Sequence, residues 1–219
     1  MAKKSATIKI PTIEERVSTI IDLSYKIFQA RVVNESIIGL DNEASMQLQL
    51  GVILKNVGLL FEWANDEHFY IYFEKKLKLD INTTKTPKGN ARCDIYIEFK
   101  QGEKRHKVDI ELKYLPKING EATTDSRLSI LSDVENLERY RTNKHIDKGY
   151  AIVYSTNSNY ADSYTRSNIN IGDGVSVTGG KSNYKEIKLT DKYTFHWDSH
   201  DPHYFLKVEV GDKIEENDQ

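Results

Sequence analysis

Asp94, Glu111 and Lys113 sit on two runs of alternating residues that read as a strand hairpin over 92–114. Ile95, Ile97 and Phe99 alternate on the first strand, and Val108, Ile110 and Leu112 on the second. A period of two puts these six on one face and their neighbours on the other. The neighbours include Asp94, Glu98, Asp109, Glu111 and Lys113, a high density of charge for a strand inside a domain. Charges withdrawn from water need counter-charges, a metal ion or a chemical role. Two carboxylates on adjacent strands, with the main-chain carbonyl of Leu112, make an oxygen donor set of the kind Mg²⁺ accepts, waters and a substrate phosphate completing the shell. Lys113 stands two residues from Glu111 and so points the same way. Its ammonium can orient or deprotonate a water and offset charge in a transition state. Phosphodiester hydrolysis is the chemistry such a group suits. The competing reading is a cross-strand ladder of ion pairs on a solvated sheet face.

These residues need elements to hold them. Thr12 and Glu15 form a capping-box pattern, and helical spacing behind it predicts a helix over 13–31. A second helix is expected from Asp41 or Asn42 to about Trp63, with Leu50, Ile53, Leu54, Val57, Leu60 and Phe61 as its buried stripe. Glu43 lies in its first turn, either complementing the helix dipole or aimed at the hairpin. Gln47, one turn on, shares its face and could help it hold a water or a metal. Residues 68–79 read as a strand, 80–91 as a polar loop, 125–142 as a third helix and 148–155 as a strand at crossover distance from the hairpin. Residues 156–183 carry a weak signal, and strands over Tyr193–Trp197 and Tyr204–Val210 are expected to extend the sheet. The order is one domain in three stretches: an arm and helix over 1–40, a core over 41–155, and a loop and strand extension over 156–219.

Several charged or reactive residues near the hairpin have plainer readings. Asp109, nearer the turn, is expected to be an outer partner of Arg92 or Lys107, and Glu98 to lie at the surface. Asp133 on the third helix could steady Lys113 or cap a loop. Cys93 is read as a small core residue, having no histidine nearby in sequence to activate it. His196, His200 and His203 lack zinc spacing and an evident fourth ligand.

With charged residues at 29% and hydrophobic ones at 38%, the composition is that of a rather polar globular chain. The net charge of −2 excludes a uniform polycation, yet residues 85–117 hold nine Lys or Arg against five Asp or Glu. A single cysteine permits no internal disulfide, so a reducing, cytoplasmic setting is expected. No run approaches the ~18 apolar residues of a membrane span, and no signal peptide or membrane partner is expected.

The order α-β-β-β-α-β, with Asp94 on the second strand and Glu111-Leu112-Lys113 on the third, resembles the PD-(D/E)XK nuclease superfamily, whose fold many type II restriction endonucleases share. The resemblance covers about residues 41–155. It implies a restriction-endonuclease-like α/β core, a central mixed sheet flanked by helices. It also implies a metal-dependent phosphodiesterase: Asp94, Glu111 and Lys113 catalytic, Glu43 a further member, and Mg²⁺ (or Mn²⁺) held by Asp94, Glu111 and the Leu112 carbonyl. The implied partner is DNA, double-stranded, with a homodimer as the form that cuts both strands. The sequence departs from the family pattern at Cys93, which stands where a proline precedes the aspartate. A nuclease fold that binds DNA or protein without cutting it is the alternative.

Overall fold

The computed structural model describes residues 10–37, 39–78, 90–117, 122–163 and 169–211. Most of the 80–91 loop, the N-terminal arm and the C-terminal tail therefore lie outside the described residues. The chain is a mixed α/β protein. Its helices are α1 (Ile13–Val33), α2 (Glu43–Leu59) and α3 (Thr124–Thr142). Its strands are β1 (Glu67–Lys78), β2 (Asn90–Gln101), β3 (Lys104–Leu115), β4 (Lys148–Ser155), β5 (Ser176–Lys181), β6 (Glu186–Thr194), β7 (Trp197–His200) and β8 (His203–Val210). Six strands form one sheet in the order β1-β2-β3-β4-β8-β7. Only the β3–β4 pair is parallel, and α3 is the crossover between them.

Each helix starts where its sequence supplies a cap. The Thr12–Glu15 box opens α1, Asn42 and Ser45 cap each other at α2, and Thr123 caps α3. The second helix ends at Leu59, short of Trp63, and Leu60 lies on the surface rather than in the buried stripe.

The sheet separates two apolar layers. Val108, Ile110 and Leu112 face α1 and α2 together with Ile95, Ile97 and Phe99. The opposite face carries α3 and, beyond it, the β5–β6 pair, with Leu131, Val134, Leu137, Ile187 and Tyr193 in its core. Tyr193 thus belongs to a separate two-stranded sheet and does not extend the main one; β8 and β7 do. The reason is α3, which is buried on both sides. Its Glu138 accepts hydrogen bonds from the Thr190 and Asp191 amides and from the Tyr193 hydroxyl at 2.8–2.9 Å, so β6 seals the helix's outer face.

The first helix is tied to late parts of the chain. Asp22 pairs with Lys207 and Phe28 packs edge-on against Phe205. Gln29 donates to Asp198 at 2.8 Å. At its other end Arg16 forks onto both oxygens of Glu67 at 2.8 Å, with its guanidinium 4.8 Å from the Trp63 ring and 4.9 Å from the Phe99 ring. Glu67 also accepts from the Trp63 and Ala64 amides. These bonds, the arginine's first, outweigh burial and hold the Glu67 carboxyl down at about 2.

A carboxyl lowered on folding contributes stability that is complete above its unfolded value of 4.5 and is lost as pH falls toward about 2. Glu67→Gln removes the charge opposite a buried arginine and should cost about 3 kcal/mol at neutral pH. Urea unfolding of both proteins should give curves that converge as pH falls from about 4.5 to about 2. Curves separated by a constant gap would show that the pair contributes no pH-linked stability.

Candidate functional site

The site begins at a shared irregularity in β1 and β2. Phe69 and Leu77 stand an even number of positions apart yet lie in opposite layers, as do Cys93 and Ile95. Both strands reverse their facing between Phe73↔Ile95 and Lys75↔Cys93, at Glu74 and Asp94. Glu74 takes φ of 52°, the left-handed conformation that costs a side-chain-bearing residue about 1 kcal/mol or more. Past this point the β2–β3 ladder stops, its last pair being Ile95↔Ile110.

The ladder's next amide on β3 is that of Leu112, and it donates to Asp94 Oδ2 at 2.7 Å. The aspartate side chain thus takes the place of a strand carbonyl. In an extended strand a residue's C=O points to the same side as its N–H, so the Leu112 carbonyl faces the same opening. Gln47 braces the break from α2, donating to the main-chain carbonyl of Asp94 at 2.6 Å and to Glu74 Oε1 at 3.1 Å. Arg92 holds the other oxygen of Glu74 at 3.1 Å. A cleft of about 240 Å³ lies here, lined by Glu43, Ala44, Gln47, Glu74, Asp94 and Leu112.

The opposite face of β3 brings Lys113 beside the same end of the sheet. Its ammonium is 3.4 Å from Glu43 at the start of α2 and 3.5 Å from Asp133 on α3. Helices from both layers therefore converge on one lysine. Glu43 is half exposed, whereas Asp133 is buried. Glu111, between Leu112 and Ile110, is buried, and so is Asp109.

Asp94, Glu43, Lys113 and Asp133 thus stand at one end of the sheet. Three expectations are corrected. Asp109 is no outer partner of Arg92 or Lys107: it is buried in the α3 layer beside Cys93, while Arg92 is exposed on Glu74. Gln47 braces Asp94 and Glu74 rather than serving Glu43. The basic window is spread along the hairpin: Arg92 and Lys113 stand at the site, Lys104 and Arg105 occupy the far end of β3, about 20 Å along the strand from Glu111, and Lys85 and Lys88 lie outside the described residues. Glu98, expected at the surface, is instead nearly buried and bonded to Arg105 at 3.0 Å. Glu74 was missed. Its signal was Lys75, a charge where the Phe69-Ile71-Phe73 alternation calls for an apolar residue.

Among the described residues no three or more His, Cys, Asp or Glu side chains converge as a ready-made metal cage. Asp94 and Leu112 line the cleft and Glu111 is the buried neighbour of Leu112; their carboxylate and carbonyl oxygens are of the donor type Mg²⁺ takes alongside several waters. Nor does any helix among the described residues have the length and apolarity to cross a membrane.

Models of known families, characterised proteins and solved structures all fail to match this chain. The site's own geometry therefore carries the functional reading.

Cys93 is no nucleophile in this arrangement. Burial pushes its thiol well above the usual range, and the carboxylate of Asp109 adds to the shift. A thiol reagent such as DTNB should leave the native protein unmodified and label one thiol per chain on denaturation. Rapid labelling of the native state would show that the α3 layer opens at β2.

Proposed function

We propose that the protein is a Mg²⁺-dependent DNA endonuclease of the PD-(D/E)XK type, a restriction or related defence nuclease with a restriction-endonuclease-like core. The observation that carries this reading is the pairing of Asp94, bonded across the broken ladder to the Leu112 amide, with Lys113, placed on the same three-residue stretch as Glu111. The element order α2-β1-β2-β3-α3-β4 supports it.

In this reading Asp94, Glu111 and the Leu112 carbonyl hold Mg²⁺, with Mn²⁺ able to substitute. When bound, the ion supplies positive charge against the phosphoryl oxygens and lowers the pKa of a coordinated water. Lys113 orients the attacking water and offsets the charge that develops in the transition state. Glu43 and Asp133 hold its ammonium from two sides, fixing its position at the cleft. Gln47 and Glu74 keep Asp94 turned toward Leu112. The cleft opens at the end of the sheet, where a phosphodiester of duplex DNA reaches it, and two copies of the chain cut both strands.

One observation favours a second reading, a nuclease-like fold that binds DNA or protein without cutting. Glu43 and Asp133 form an ion-pair set that accounts for a half-buried lysine with no catalytic role.

Plasmid DNA incubated with Mg²⁺ and with EDTA separates the two. Nicking or linearisation with Mg²⁺ alone is expected, reduced by about 10² or more in Lys113→Ala and abolished in Glu111→Ala. Cleavage that survives both substitutions excludes this site. Salt-dependent DNA binding with no product under any metal supports the second reading.

A further inference from the structure

The site leaves unused an aromatic strip on the same face of the sheet. α3 packs on β3, β4 and β8, and the β1–β2 part of its face extends beyond it. There the register sets three rows across the strands. His68 stands beside Lys100, which pairs with Arg105; Tyr70 beside Glu98, which pairs with Lys107; and Tyr72 beside Tyr96, which pairs with Asp109. Along β1 the rings follow one another, His68 to Tyr70 at 6.0 Å and Tyr70 to Tyr72 at 6.4 Å, the two tyrosines within 24° of parallel. Tyr72 continues to Tyr96 at 6.1 Å. Tyr96 is buried, but Tyr70 and Tyr72 stand 40% and 41% exposed, high for aromatic rings on a sheet.

The charge around these rings is mostly positive. Lys75, thrown onto this face by the strand irregularity, places its ammonium 4.3 Å from the Tyr72 ring and 3.8 Å from the Tyr96 ring. Lys100, Arg105 and Lys107 complete the border, and the acids of these three rows are Glu98, ion-paired with Arg105, and Asp109, which is buried. A protein partner reading this face would need to be acidic and rich in planar groups. Nucleic acid has both properties: a phosphate backbone for the lysines and base faces for the rings. The bases of a duplex keep their faces stacked on one another, so exposed rings in series select unpaired bases.

We propose that the outer face of β1–β3 is a stacking platform for single-stranded nucleic acid, with Tyr70 and Tyr72 as the base-stacking rings and Lys75, Lys100 and Lys107 as the backbone contacts. The inference rests on this face and not on the nuclease reading. Were both right, the platform would lie on the same face of β3 as Glu111 and Lys113, about 20 Å from Lys107 to Lys113 along the strand. An unpaired strand held there would lead toward the cleft.

The test is fluorescence anisotropy of a labelled oligodeoxythymidine and of a duplex of equal length, all in EDTA, so that cleavage plays no part. The wild-type protein should bind the single strand more tightly than the duplex, with affinity falling as salt rises. Tyr70→Ala with Tyr72→Ala should weaken single-strand binding about ten-fold or more, while Tyr70→Phe with Tyr72→Phe should retain it. Lys100→Glu with Lys107→Glu, which leaves the rings in place, should also abolish it and covers the case in which the alanine pair does not fold. Wild-type affinity in a natively melting alanine pair overturns the proposal, as does tighter duplex binding indifferent to the tyrosines. Absence of single-strand binding together with self-association lost in the alanine pair would assign the face to a second copy of the chain, and would overturn it equally.

Discussion

One hydrogen bond, from the Leu112 amide to the carboxylate of Asp94, sets the geometry of the candidate site. A buried strand amide must find an acceptor, and the usual one is the carbonyl of the next strand. Here β1 and β2 reverse their facing together at Glu74 and Asp94, and the ladder to β3 ends. The side chain of Asp94 restores the missing acceptor while bringing a charge to the opening. The same irregularity moves Lys75 onto the aromatic face of β1 and leaves Glu74 where Gln47 and Arg92 can hold it. A local departure from strand geometry thus creates the cleft and shapes the two surfaces beside it.

The α3 layer shows how much charge a core can hold when it is organised. Asp133, Glu135, Asn136 and Glu138 are all buried on one helix. Glu138 serves β6, Glu135 pairs with Arg139 at 3.0 Å, and Asp133 turns to Lys113. The helix is therefore an electrostatic plate between two sheets as well as an apolar wedge. It can be covered on its outer side because β5 and β6 offer amides and a phenol to its carboxylates instead of continuing the main sheet.

Much of this was legible from residue types and spacing. The alternation in 92–114 gave the hairpin, the capping box at Thr12 gave the start of α1, and Asp41 or Asn42 bracketed the start of α2. What escaped reading depends on contacts across the chain. Alternation alone treats Cys93 to Phe99 as one unbroken strand, because a reversal of facing at Asp94 is settled by where β1 and α2 press on it. Asp109 and Glu111 are adjacent members of the same alternation, and nothing local says that both go under α3. Tyr193 has the pattern of a sheet strand; only the carboxylate of Glu138, far off in sequence, explains why it belongs to another ladder.

The attachments of α1 bear on how the chain is made. Its partners include Glu67 at one end and Asp198, Phe205 and Lys207 at the other, the last of them among the final residues of the described structure. α1 packs most extensively on α2, the next helix in the chain, whereas its attachments to Asp198, Phe205 and Lys207 form only when the last strands are in place. Contacts of such separation must close large loops before they return any stabilisation. The late strands accordingly lock a helix pair that local contacts can assemble earlier. Until then the end of α1 near Phe28, which Phe205 covers in the finished fold, is apolar surface that chaperones would find exposed.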